Sequence, residues 1–210
     1  MPLPLALLVA LAVGLLAERL GWLRPRSAWA AALVGGLPLW AGGIPAALAV
    51  IFFVALGSLA SRFNQRSRDR SGRSAFQVLA NGLPAALGMA LESPTFFLAA
   101  LASAAADTLA TEVGSRSPWA WHPLRGLVPS GTNAAISGPG TVALVLGVWL
   151  FSPWALWLGV PVLAVVVGGI AGAFADTLLG LLEDRFGWWS NDLTNLLATT
   201  MGGLIALVLT

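Results

Sequence analysis

The chain has 210 residues, 58% of them hydrophobic and 10% charged, with a formal net charge of +2 and a mean hydropathy of +0.84. A soluble globular domain carries about 25% charged residues, so this composition belongs to the membrane class. It also excludes chemistry: with no Cys there is no disulfide or thiolate, with no Lys there is no phosphate-loop lysine or Schiff base, and with His122 as the single His any metal must take oxygen ligands, which favours Mg²⁺ or Ca²⁺ over Zn²⁺.

A helix needs about 20 apolar residues to cross the hydrocarbon core. Apolar runs predict spans near 3–19, 28–42, 44–61, 75–91, 94–114, 139–153, 155–182 and 191–209. The first lacks a positive n-region and a small-residue cleavage site, and reads as a retained anchor. The second is short and meets the third at Ala41-Gly42-Gly43, so a re-entrant or half-depth segment is an alternative to a full crossing. The stretch 137–182 has room for two helices, with a break at Ser152-Pro153 or at Pro161. The expected fold is all-α: a single integral membrane domain over residues 1–210, built as a polytopic transmembrane helix bundle of seven or eight spans.

Charge orients the bundle. Arg24 and Arg26 follow the first span. Arg62, Arg66, Arg68, Arg70 and Arg73 follow the third, Arg116 and Arg125 the fifth, and Arg185 the seventh. With eight spans and an outside N-terminus, all these loops face the cytoplasm and the opposite loops carry no Arg. The expected location is therefore the inner, cytoplasmic membrane of the cell, with the working face cytoplasmic. The sequence pI near 11 does not indicate nucleic-acid binding, because the Arg residues sit in short loops between apolar spans.

Polar residues inside the spans carry the functional signal. Arg73, Gln77 and Asn81 recur every four residues and share a helical stripe. The fifth span ends on Asp107, Thr108, Thr111 and Glu112. The seventh carries Asp176 and ends on Glu183 and Asp184, and the eighth opens on Asn191, Asp192 and Asn195. At 1.5 Å per residue, Asn81 lies roughly 12 Å beyond Arg73, Asp107 roughly 12 Å before Ser115 and Asp176 roughly 13 Å before Arg185. Three helices thus bring carboxylates and an amide to one depth. A single Asn or Thr there reads as an interhelical hydrogen-bonder. A lone carboxylate in hydrocarbon costs about 2.5–3.5 kcal/mol, so Asp107 and Asp176 at matched depth read as a shared cation site or a water-filled pocket. Glu18 and Glu92 read as boundary charges, and His122 as interfacial.

The loop Val128 to Thr141 contains Ser130, Gly131, Thr132, Asn133 and Ser137 ahead of a helix. Such a segment can wrap an anion with N–H groups and hydroxyls, or can be a flexible turn. The tetrapeptide Ala-Asp-Thr-Leu occurs at 106–109 and again at 175–178, the kind of trace an internal repeat leaves.

These motifs together resemble the DUF92 family of integral membrane proteins, which includes phytyl-phosphate kinases. The likeness rests on Gly72-Arg73…Gln77-Val78-Leu79-Ala80-Asn81-Gly82, Ala106-Asp107-Thr108…Glu112-Val113-Gly114, Gly131-Thr132-Asn133…Ser137…Gly140-Thr141, Ala175-Asp176-Thr177-Leu178-Leu179-Gly180 and Asn191-Asp192…Asn195, in that order over nearly the whole chain. Thr111 and Thr177 stand where Ser is usual, Ala134-Ala135 where a Gly-rich pair is, and Thr194 where Val is. The resemblance implies a kinase transferring a phosphoryl group from a nucleoside triphosphate, CTP by preference, to a membrane-embedded prenyl or phytyl monophosphate, with Mg²⁺ as cofactor. It implies that Asp107 and Asp176 hold the metal with help from Glu112 and Asp192. Arg73 and the Ser130–Ser137 loop would take phosphate oxygens. Gln77, Asn81, Thr108, Thr111, Asn191 and Asn195 would orient the nucleotide or the acceptor. Two alternatives share the residues: an ion-coupled transporter, whose site would lie near the midplane, and a CTP-dependent cytidylyltransferase for lipid phosphates.

Overall fold

The computed structural model describes residues 1–67 and 69–210; Arg68, one of the arginines used above for orientation, lies outside the described residues. The elements in chain order are α1 (Leu3–Arg19), α2 (Ala28–Phe63), α3 (Ala75–Ala90), α4 (Pro94–Gly114), β1 (Trp119–His122), β2 (Gly126–Pro129), α5 (Gly138–Trp149), α6 (Ser152–Trp157), α7 (Val162–Arg185) and α8 (Asn191–Val208).

Backbone bonding makes α2 one helix of 36 residues, which would run about 54 Å if straight. It is not straight. Gly43 sits at φ 68°, ψ −156°, a conformation open to glycine, and the chain turns back there. Residues before the turn pack antiparallel on α1, with Gly14 against Ala28 and Gly36 against Leu7. Residues after it run antiparallel to α3, from Gly42 at the turn near Met89 to Gly57 near Arg73, which leads into α3. Arg62 at the end of α2 donates to the carbonyl of Leu20 at the end of α1. Both ends of α2 therefore lie at the same end of the bundle. The Glu18 carboxylate caps its start, accepting from the N–H groups of Ser27 and Ala28 at 2.7 Å each, rather than serving as a free boundary charge.

Helix α4 is central. Phe97 to Ala106 is buried throughout, and its run of Ala and Ser lets α3, α5, α7 and α8 approach closely. Small residues also seal α7 to α8: a side chain on Gly172 would meet the Ala198 carbonyl at 2.8 Å, and Gly202 backs onto Gly168. The 137–182 stretch breaks in both expected places, between α5 and α6 and again at Gly159–Pro161 before α7.

Among the described residues, four helical segments suffice by length and composition to cross a membrane: 28–63, 94–114, 138–157 and 162–185. This is fewer than the seven or eight spans expected. The turn at Gly43 leaves α2 counted once, and α1 and α3 have only 17 and 16 residues.

The antiparallel hairpin β1–β2 was not expected. Ala120 pairs with Val128, and Trp121 bonds on its other side to Ile136 in both directions at 2.8 Å. His122, expected at the interface, turns inward within the hairpin with 1% of its surface exposed. Its Nδ1 accepts from the N–H groups of Leu124 and Arg125 and fixes the hairpin turn. Further bonds gather the Arg-bearing connections into one cap. Arg24 Nε donates to the Gly72 carbonyl, Arg66 to that of Ser115, and Arg125 pairs with Asp184 at 2.9 Å.

Candidate functional site

Beneath that cap lies a cavity of about 800 Å³. Arg73, Gln77 and Asn81 reach it from α3 and its approach, and Asp107, Thr108, Thr111 and Glu112 from α4. Ser130, Gly131, Thr132, Asn133 and Ser137 line it from the loop after the hairpin, Asp176 from α7, and Asn191, Asp192 and Asn195 from α8. Every residue assigned to the site from the sequence thus borders one space. Their local roles divide them into two groups.

One group is engaged in holding the walls. Ser74 and Gln77 form a capping box at the start of α3, and Gln77 Nε2 donates to Asp69 at 2.8 Å. Asn81 donates to the Gln77 carbonyl, and Thr108 to that of Ala104. Ser137 caps α5 by accepting from Gly140 N–H. Asn133 Nδ2 donates to the Gly180 carbonyl at 2.9 Å, and its loop turns through Gly131 and Ala134, both at positive φ. Ala134 therefore occupies, at φ 56°, a conformation glycine adopts without strain. Glu112 is 5% exposed and accepts from Ser61 Oγ at 2.7 Å, Asn64 Nδ2 at 2.7 Å and Ser67 Oγ at 2.6 Å. Its two oxygens are satisfied by the α2 end, so it serves as the clamp between α4 and the 61–67 segment.

The other group is buried with open valence. Arg73 is 6% exposed, and neither Nη1 nor Nη2 has a hydrogen-bond partner among the described residues. Its placement is over-determined. The backbone N–H donates to the Trp22 carbonyl, its carbonyl accepts from Arg24 N–H, the guanidinium lies 5.7 Å from the Phe53 ring centroid, and Gly57 leaves the room it fills. In the same cavity the carboxyl groups of Asp107 on α4 and Asp176 on α7 are electrostatic neighbours, and Asp176 Oδ1 is buried without a partner among the described residues. Ser130 Oγ is also buried and has no partner among the described residues. Buried polar groups are nearly always satisfied, so a cation donor set and an anion acceptor set left open in one cavity describe a place for a polar ligand.

Among the described residues no three carboxylates or imidazoles converge as a metal cage. The expected set of Asp107, Glu112, Asp176 and Asp192 therefore does not form one such cage among the described residues. Glu112 is spent on its three donors, Asp192 stands nearer Asp69 on the α8 side, and the pair Asp107–Asp176 is what remains. A pair suits Mg²⁺, which keeps waters and takes one or two carboxylates plus substrate phosphates rather than an all-protein cage.

Sequence reasoning missed Ser61, Asn64 and Ser67, the donors to Glu112. It also missed Asp69, which lines the cavity within an Arg-rich loop. The acid among those arginines was the available signal.

The family described as integral membrane protein DUF92 matches residues 8–203. An uncharacterized membrane protein of Methanocaldococcus jannaschii is 32% identical over 194 residues, covering 84% of this chain and 81% of that protein. No solved structure matches. The chain belongs to the DUF92 family of integral membrane proteins.

Proposed function

We propose that the chain is a membrane-embedded phosphotransferase that moves the γ-phosphoryl group of a nucleoside triphosphate, CTP by preference, onto an isoprenoid monophosphate. The observation that carries this reading is an unpartnered buried guanidinium, Arg73, lining one cavity with a neighbouring carboxylate pair, Asp107 and Asp176. Phosphoryl transfer asks for positioned charge more than covalent chemistry, and those two features supply both signs. The resemblance to phytyl-phosphate kinases supplies the substrate class.

In the reaction a non-bridging oxygen of the prenyl monophosphate forms a new bond to the γ-phosphorus. The bond from that phosphorus to the β–γ bridging oxygen breaks, and its electron pair leaves on the nucleoside diphosphate. The acceptor is ionised at neutral pH, so no general base is needed. Arg73 donates both Nη groups to phosphate oxygens and stabilises the charge that spreads over them. Ser130 Oγ and the backbone of Gly131 and Thr132 add neutral donors. Mg²⁺ held by Asp107 and Asp176 would neutralise charge on the bridging phosphates. Asn191 and Asn195, which line the same wall, orient the nucleotide or acceptor.

In this reading the chain crosses the bilayer eight times. α2 counts as two crossings and α5 with α6 as one, and the Arg-bearing cap is cytoplasmic by the positive-inside rule. Mg²⁺-dependent formation of prenyl diphosphate and CDP by purified protein in nanodiscs, scored by mass spectrometry against a panel of prenyl monophosphates, tests the reading. Release of pyrophosphate with a CDP-lipid would instead identify a cytidylyltransferase. Ion flux in liposomes without turnover would identify a transporter.

A further inference from the structure

The α3–α8 seam has two faces. Gln77 and Asn81 on α3, with Asn191 and Asn195 on α8, border the polar cavity. On the outer face a separate groove of about 260 Å³ is lined by Phe76, Leu79, Ala80 and Leu83 of α3 and by Leu193 and Leu196 of α8, with Asp192 at its head. The α3 residues follow the i, i+3, i+4, i+7 spacing of a single helical face. Asp192 borders both the cavity and the groove, so the two spaces adjoin at that side chain where α3 and α8 begin. Deeper in, the seam closes: Thr199 Oγ1 reaches the Ala80 carbonyl at 3.5 Å, and Thr194, Asn195 and Thr199 are all buried. Phe76, 71% exposed, stands beside the opening.

Resting on the phosphotransferase reading, we infer that this groove holds the phosphate-proximal part of the isoprenoid tail. The lipid would straddle the seam at Asp192, with its phosphate among Arg73 and the Asp pair and its tail descending between Leu79, Leu83, Leu193 and Leu196. The occupant follows from continuity. A headgroup drawn to Arg73 must trail an apolar chain, and the groove is apolar and adjoins the cavity at Asp192, its polar end. From Phe76 to Leu83 the groove runs roughly 10 Å along α3, so it grips the first part of the tail and leaves the rest to the bilayer. The site therefore selects for an apolar tail near the phosphate rather than for total chain length.

A geranylgeranyl monophosphate carrying a diazirine on its second isoprene unit tests this in nanodiscs holding the full chain. The expected result is photolabelling of peptides from 75–90 and 191–208, competed by unlabelled geranylgeranyl monophosphate and not by geranylgeraniol. Leu196→Trp, which fills the groove, should lower the ratio of kcat/KM for geranylgeranyl over isopentenyl monophosphate about tenfold. Leu163→Trp, on a lipid-facing position of α7 outside the groove, should leave that ratio unchanged. Labelling spread over other helices, or uncompeted labelling, overturns the groove whether or not turnover is seen. Competed groove labelling without any turnover upholds the groove as a lipid-phosphate site and defeats the phosphotransferase reading alone.

Discussion

Arg73→Met separates a ligand-binding arginine from a structural one. In the ligand-free chain the guanidinium is buried and its Nη atoms are unpaired, with Asp69, Glu112 and Asp107 nearby and in no direct ion pair among the described residues. Burying a charge costs more than such distant neighbours return, so its removal should leave thermal stability unchanged or raise it. Ligand binding should respond oppositely. Each hydrogen bond to a charged group contributes about 1.5–3 kcal/mol, and two to a phosphate give a loss of at least about 3 kcal/mol, roughly 10²-fold in Kd. At a CTP concentration one hundred times the wild-type Kd, binding stabilises the folded protein by about 2.7 kcal/mol. After a hundredfold loss the same concentration gives about 0.4 kcal/mol, so the nucleotide-induced shift in Tm should nearly vanish. Gly57→Val should reproduce that loss with Arg73 still present, because the added side chain occupies the space of the guanidinium. Differential scanning fluorimetry in detergent, with and without CTP and Mg²⁺, reads both effects. A ligand-free Tm that falls by several degrees while the CTP shift persists would refute the assignment.

Asp107→Asn and Asp176→Asn should each lower turnover at least about a hundredfold and abolish its Mg²⁺ dependence, measured as CDP release. Glu112→Ala should act on stability instead: it strands donors from Ser61, Asn64 and Ser67 and should cost about 3 kcal/mol or more, read by unfolding in detergent. Gly172→Val should drive the Ala198 carbonyl away and part α7 from α8, costing about 1–3 kcal/mol and reducing activity through displacement of Asp176.

The candidate site was legible because hydrocarbon makes polar residues conspicuous. Asp107, Asp176, Arg73 and the Asn residues of α8 stood out against apolar spans, and helical rise placed them at one level. What was not legible depended on long-range partners. Glu112 looks like a ligand until its donors arrive from 45 to 51 residues away. Glu18 looks like a boundary charge until the chain returns nine residues later to be capped. The hairpin hides because Trp119–His122 gives only four residues of alternation, too few to show a period. The fold class and the Arg-rich end were readable from composition and charge. The reversal within α2 was only half readable, since Gly42-Gly43-Pro45 announces a break without saying whether the chain turns back.

The repeated Ala-Asp-Thr-Leu acquires a physical meaning from packing. Ala102 meets Gly169, Ser103 meets Gly172 and Asp107 meets Asp176, so α4 and α7 lie side by side in the same direction with the two tetrapeptides level. Small residues press the backbones together just below the point where two acids must face each other. Two neighbouring buried carboxylates favour a shared proton or a cation between them, so the pair works against the packing that creates it. A divalent cation that binds there should therefore tighten the α4–α7 contact as well as the ligand. At one hundred times its Kd, Mg²⁺ should stabilise the fold by about 2.7 kcal/mol without nucleotide. Asp176→Asn should raise the metal-free stability, because the site no longer has to take up a proton or bear like-charge repulsion, and should erase the Mg²⁺ increment. Unfolding in detergent across a Mg²⁺ titration, with Ca²⁺ and Na⁺ as controls, measures both. If Asp176→Asn lowers metal-free stability and keeps the Mg²⁺ response, the carboxylates are an interhelical hydrogen bond and the metal binds elsewhere.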